Sequence, residues 1–139
     1  MFTARIVTDS LHYDSACMYP RLTTMEVVTW KPLVAEFNTH RDFSRNSASS
    51  RAIPIKRLIQ QITERPYIPH FCHNQSGMQP AGELSEKDMN TATQAWIQAR
   101  DNALRMVHAL DNLDVHKQWV NRLLEPWMET TILVSSTKW

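Results

Sequence analysis

The segment Asn38–Pro54, NTHRDFSRNSASSRAIP, decides how this chain is read. It holds one histidine, three arginines (Arg41, Arg45, Arg51), two asparagines and four serines, with no glycine and little apolar content. A buried polar group costs free energy unless it is paired, so side chains of this kind do not build a core. Arginine forks, serine hydroxyls and backbone N–H groups suit phosphate oxygens and flat heterocycles. Composition leaves two readings open: a solvated basic loop, or a segment that binds a ligand.

The flanks read as ordered structure. Thr3–Thr8 alternates around Ile6–Val7 and predicts a short strand. His12–Pro20 is turn-rich. Leu22–Trp30, rich in Thr and Val, predicts a second strand that Lys31-Pro32 ends. Pro32 suits the first turn of a helix, and Leu33, Phe37 and His40 fall at helical spacing. Such a helix would deliver Glu36, Asn38, His40 and Arg41 into the polar segment. Beyond Pro54, Ile55, Leu58, Ile59 and Ile62 form one apolar stripe, closed by Pro66. Tyr67–Gly82 reads as an ordered loop.

Ser85-Glu86-Lys87-Asp88 is a capping-box-like start. Behind it Ala92, Ala95, Trp96, Ala99, Ala103, Met106, Val107 and Leu110 recur every three or four residues. They predict a helix over Glu86–Leu110, about 37 Å long at the usual rise. Asp114 would cap a further helix, with Val115, Trp119, Leu123 and Leu124 inward and Pro126 ending it. Thr130–Val134 is β-prone.

With 139 residues, 42% of them hydrophobic and 21% charged, the chain is expected to fold as a single domain over 1–139. The formal net charge of +1 argues against a general polyanion binder, so no nucleic acid polymer is expected as a partner. Charge is local instead. From Arg41 to Arg57 there are five basic residues against one acidic, which fits a small phosphorylated ligand. Two glycines, Gly77 and Gly82, exclude a Gly-rich phosphate loop. Cys17 and Cys72 lie far apart and suggest reduced thiols. No apolar run reaches signal-peptide or membrane-spanning length, so a cytoplasmic protein without membrane contact is expected.

His70, Cys72 and His73 suggest part of a metal site, but a zinc site needs three or four ligands and no second pair is evident. The amide-rich run Asn74–Gln79 reads either as a base- or flavin-edge reader or as a turn on Gly77. A helical interaction module built on Glu86–Leu110 is the competing functional class.

Thr39-His40-Arg41, then seven residues, then Ser49 resembles the signature of the flavin-dependent thymidylate synthases, Arg-His-Arg, seven residues, Ser. The match continues through Ser50-Arg51. RLTTMEVVTWKPLVAEFNTHR looks like that family's strand and helix before the signature. NQSGMQ and HKQWVNRLLEPWMETTILVSSTKW resemble a divergent, phage-like branch. The resemblance runs from about Ala4 to Trp139. It implies an α/β (α+β) fold, a small mixed sheet with long packed helices. It implies methylation of dUMP at C5 to give dTMP, with methylene from methylenetetrahydrofolate and hydride from FAD reduced by NADPH. It also implies a homotetramer with active sites between subunits.

By the same resemblance, Thr23, Thr39, His40, Arg41 and Ser47 would contact FAD. Glu36, Ser47, Ser49, Ser50 and Arg51 would contact dUMP, with Arg51 taking the phosphate and polarising the ring. Thr39 stands in place of an arginine, Ser47 of a glutamate and Glu36 of a glutamine. The family's further arginine-bearing segment is expected after the position of Trp139. A relative making another C5-modified dUMP, and an inactive remnant that still binds FAD or nucleotide, are the alternatives.

Overall fold

The computed structural model describes residues 2–11 and 21–139. The turn expected over His12–Pro20, and Cys17 with it, lie outside the described residues. Strand β1 (Thr3–Leu11) pairs antiparallel with β2 (Arg21–Trp30), from Thr3 opposite Val28 to Leu11 opposite Arg21, with an irregularity between Ile6 and Thr8. The second neighbour of β2 is β4 (Glu129–Ser136), whose far edge carries β3 (Ser44–Ser47). The sheet order is β1-β2-β4-β3. The α+β class is as expected, and the expected mixed sheet is antiparallel in every pairing among the described residues.

Among the described residues four α-helices accompany the sheet: α1 (Val34–Phe37), α2 (Ile55–Glu64), α3 (Glu86–Asn112) and α4 (Lys117–Val120). The apolar stripe behind Pro54 does what its spacing requires, since Leu58 and Ile62 of α2 are fully buried. They join Val107 of α3, Val120 of α4, and Leu124, Trp127 and Met128 in one core. The Ser85 Oγ accepts the Asp88 amide at 3.2 Å and starts α3, as its sequence predicts. Along β4, Thr130, Ile132, Val134 and Ser136 are buried while Thr131 and Leu133 are exposed, the period-two pattern of a sheet with one covered face.

A tryptophan cluster ties sheet to helices. Trp30 stacks on Tyr67 and meets Trp96 edge-on, and Trp96 packs on Trp127. Each indole N–H reaches a backbone carbonyl: Trp30 donates to Pro126, Trp96 to Tyr67, and Trp127 to Trp96. The loop after Pro66 is thereby pinned between the layers, and desolvation leaves none of the three N–H groups without an acceptor.

Three expectations are corrected. The helix after Pro32 is a 3-10 turn (Lys31–Leu33) followed by only four α residues, so it ends before His40 and Arg41. It stops where side chains compete for the backbone: Thr39 Oγ1 donates to the Glu36 carbonyl at 2.7 Å, and the Arg45 guanidinium takes the Asn38 and His40 carbonyls. The polar segment read as a loop contains β3. Its four residues lack β-branched and aromatic side chains, so only pairing with β4 reveals it.

The third correction concerns Asp114. It takes a left-handed φ of 56° just after α3, and His116 caps α4 instead, its Nδ1 accepting the Gln118 amide. After Val120 the chain continues as a 3-10 helix, Asn121–Trp127, with Pro126 inside it. The tighter winding shifts the phase of the apolar residues. Val120 and Leu124 are buried, whereas Trp119 and Leu123, expected inward, are 61% and 41% exposed.

Candidate functional site

The strand β3 divides the candidate residues into two groups. Its four residues span about 14 Å at the usual rise, with Ser44 opposite Ser135 and Ser47 opposite Ile132. The His40–Phe43 loop lies at one end, and the 3-10 turn Ser50–Ala52 lies at the other.

At the first end, Thr23 sits on β2 opposite Ser136 and Asp9. It is buried, and its hydroxyl donates to Asp9 Oδ1 at 3.0 Å. Asp9 also receives the Arg21 guanidinium, which holds its carboxyl below the usual range. A cleft of about 360 Å³ opens here, lined by Ile6, Arg21, Thr23, Met25, Thr137 and Trp139. The Trp139 indole donates to the Thr23 carbonyl at 3.1 Å. Its ring lies parallel to Phe43 with centroids 6.2 Å apart, and Phe43 in turn stacks against His40 at 5.9 Å. Thr23 and His40, distant in sequence, are thus connected through two aromatic rings.

The loop itself is held by Arg45. Its Nε donates to Asn38 Oδ1 at 2.8 Å, and its remaining nitrogens reach the Asn38 and His40 carbonyls. Arg45 is therefore committed to the loop, through one side-chain acceptor and backbone carbonyls. Arg41 is exposed and makes no ion pair among the described residues. Thr39 and Glu36 are exposed on the near side of the loop.

At the second end, Ser47 is half-buried in β3 and Ser49 is exposed at the start of the 3-10 turn. Ser50 is 3% exposed, and its hydroxyl donates to Glu125. The fully buried Asn121 donates from Nδ2 to the Ser50 and Ile53 carbonyls, 2.8 Å each. The turn is clamped from beneath by two polar residues of the 121–127 helix. Arg51 extends outward from this anchored turn, exposed and without an ion pair among the described residues. Beside it runs a groove of about 450 Å³ lined by Ile53, Arg57, Gln61, Met128, Thr130 and their neighbours.

The chain shares its fold with a UMP/dUMP methylase. PolB from Streptomyces cacaoi, solved with 5-Br UMP, superposes with a TM-score of 0.72 over 98% of this chain and 71% of PolB, at 15% identity. The same PolB with 5-Br dUMP gives a TM-score of 0.67 over 98% and 73%, at 12% identity. No family model matches the sequence. Comparison with curated proteins gives no match.

On this PolB-like fold, the His40–Arg41 loop and the Ser49–Arg51 turn are both surface features braced from inside. Asn121, Glu125, Phe43, Arg45 and Trp139 do the bracing, and sequence reasoning missed all five. One signal was present: Asn121 interrupts the apolar run of VNRLLEPW at a position that a buried helical face would fill with a hydrocarbon. Of His70, Cys72 and His73, considered as metal ligands, His70 Nε2 lies 3.1 Å from Glu83 Oε1 and Cys72 pairs with Glu83 through the backbone only; among the described residues no group of three His, Cys, Asp or Glu side chains is placed to hold a metal ion. Cys72 is a free thiol. Among the described residues, no helix is long and apolar enough to cross a membrane.

Proposed function

We propose that this protein modifies dUMP at C5 in a flavin-dependent reaction, and that its product is dTMP. The observation that carries the reading is the fold shared with PolB over 98% of the chain, combined with the Thr39–Arg51 pattern lying on two exposed, internally braced segments. PolB is a UMP/dUMP methylase solved with 5-bromo pyrimidine nucleotides. The chemistry of the exposed donors agrees with a phosphorylated ligand. Arg41 and Arg51 present guanidinium groups that no carboxylate of the described residues neutralises.

In this reading Thr23, Thr39, His40, Arg41 and Ser47 hold FAD, whose contribution is the hydride. Arg51 grips the dUMP phosphate as a two-pronged donor, and its charge favours electron density on the pyrimidine ring. Ser49 and Glu36 contact the nucleotide, and Ser50 acts from within by fixing the turn. Methylenetetrahydrofolate and NADPH are the co-substrates. The two ends of β3 become one site when chains assemble, in a homotetramer. The exposed Trp119, Leu123, Met106 and Leu113 supply apolar surface for that assembly.

The test is direct. Purified protein should be yellow and release FAD on denaturation. Supplied with methylenetetrahydrofolate and NADPH, it should release tritium from C5-labelled dUMP, and mass spectrometry of the nucleotide should identify dTMP. A different C5 substituent would replace dTMP by another modified nucleotide. FAD uptake without tritium release would favour a binding remnant, and a colourless protein that takes up no FAD would refute the flavin reading.

A further inference from the structure

The end of β4 does more than complete the sheet. Ser136, 5% exposed, donates from Oγ to the Asp42 carbonyl at 2.8 Å, and the Lys138 amide donates back to Ser136 Oγ at 2.9 Å. The Trp139 ring then covers Phe43, nearly parallel at 10°, while its N–H is fixed on the Thr23 carbonyl. Lys138 Nζ lies 3.4 Å from Asp42 Oδ1, an exposed ion pair that contributes little. Besides the Arg45 clamp, the contacts that tie the loop to the sheet are therefore the hydroxyl, the two rings and the indole N–H.

We propose that Trp139 is a positioning residue that holds the His40 loop against the Thr23 strand, so that both parts of the binding surface are set before any ligand arrives. The inference rests on the flavin reading above for the identity of that ligand. His40 is exposed, and among the described residues its one ring neighbour is Phe43. Phe43 touches Phe37 on the α1 side and Trp139 on the strand side. Remove Trp139, and Phe43 loses its strand-side ring while the link to β2 is cut. The segment 39–42 has no strand or helix of its own to hold it. Arg45 and Ser136 would still hold the His40 and Asp42 carbonyls, but setting the Phe43 and His40 rings would fall to the ligand, and ordering at the moment of binding weakens affinity.

The experiment compares the wild type, Trp139→Ala and Trp139→Phe, first without ligand. In Trp139→Ala the His40 ring signals in the proton NMR spectrum should move toward free-histidine positions, while those of His108 and His116 stay in place. Trp139→Phe, which keeps a ring over Phe43, should restore most of the His40 shift. FAD affinity, by equilibrium dialysis, should fall about tenfold in Trp139→Ala, a loss on the scale of immobilising one or two side chains. Unmoved His40 signals overturn the inference, and so does a displaced His40 with unchanged FAD affinity. A wild type that takes up no FAD refutes the flavin reading, and the His40 signals still decide whether Trp139 holds the loop. Should Trp139→Ala fail to fold, Trp139→Leu, which keeps apolar bulk but removes the ring over Phe43 and the indole N–H, is read by the same two measurements.

Discussion

Arg51 and Asn121 show how one turn can be both firm and available. Arg51 lies on the outside of the Ser50–Ala52 turn, and Asn121 grips the inside through two carbonyls. Substituting each should therefore have opposite consequences. Arg51→Ala should leave thermal stability unchanged and weaken dUMP binding by about 1.5–3 kcal/mol, the range for a hydrogen bond to a charged group, measured by calorimetric titration. Asn121→Ala should act first on stability. It takes the donor from the Ile53 carbonyl and leaves the Ser50 carbonyl with the Ile53 amide alone, at about 1–3 kcal/mol for the unsatisfied group, read from urea unfolding. Asn121 Oδ1 is itself buried without a hydrogen-bond partner, so the residue already bears a cost that its two donated bonds offset. Of these residues, Arg51 was expected outside the core because a charged side chain is costly to bury, and the structure leaves it exposed. The role of Asn121 was not legible in the sequence, because it exists only once residues 71 apart in the chain meet.

At the scale of elements, the β1–β2 hairpin is held across its width by two charged pairs. Arg5 Nε meets Glu26 Oε1 at 2.8 Å, and the Arg21 guanidinium meets Asp9. Both carboxyls are held below their usual range, first of all by the arginine hydrogen bond. A carboxyl whose acidity is strengthened by folding stabilises the fold above its unfolded titration range. That contribution is lost as pH falls through the depressed folded value. Protection of the β1 and β2 amides, taken relative to their intrinsic exchange rates at each pH, should therefore fall on acidification below the ordinary carboxylate range, and fall less in high salt, where exposed pairs are already screened. Equal protection at neutral and acid pH would contradict the pairing. The long strands and α3 were readable because their periodicity extends over many residues. The β3 strand and the short α4 were not. Four polar residues in one and a change of helical winding after the other leave no pattern until neighbouring elements impose it.

For the whole molecule, the distribution of apolar surface is the informative quantity. In α3, 27 residues long, Val107 alone is fully buried, and Met106 and Leu113 stand exposed near its end. Trp119 and Leu123 are exposed on the next segment, where Arg122 lies over the Trp119 ring at 5.6 Å. If the assembly proposed above uses this surface, Trp119→Asp should shift the protein to smaller species in sedimentation velocity. Its far-ultraviolet circular dichroism should stay unchanged, because Trp119 contributes nothing to the interior. Retention of the wild-type assembly would place the subunit contact elsewhere. The sequence signalled an apolar excess in this region but assigned it to the core, since periodicity says which residues share a face and not whether that face meets the same chain or another.

The placement of the tryptophans gives the molecule two separate optical populations. Trp30, Trp96 and Trp127 are neighbours in the interior, close enough to exchange excitation and to give a strong near-ultraviolet dichroic band that vanishes on unfolding. Trp119 and Trp139 emit from the surface, and Trp139 borders the cleft that also contains Thr23. An isoalloxazine seated there would quench the red-shifted surface emission and leave the interior band intact. Emission would then report occupancy and near-ultraviolet dichroism foldedness, with no label attached.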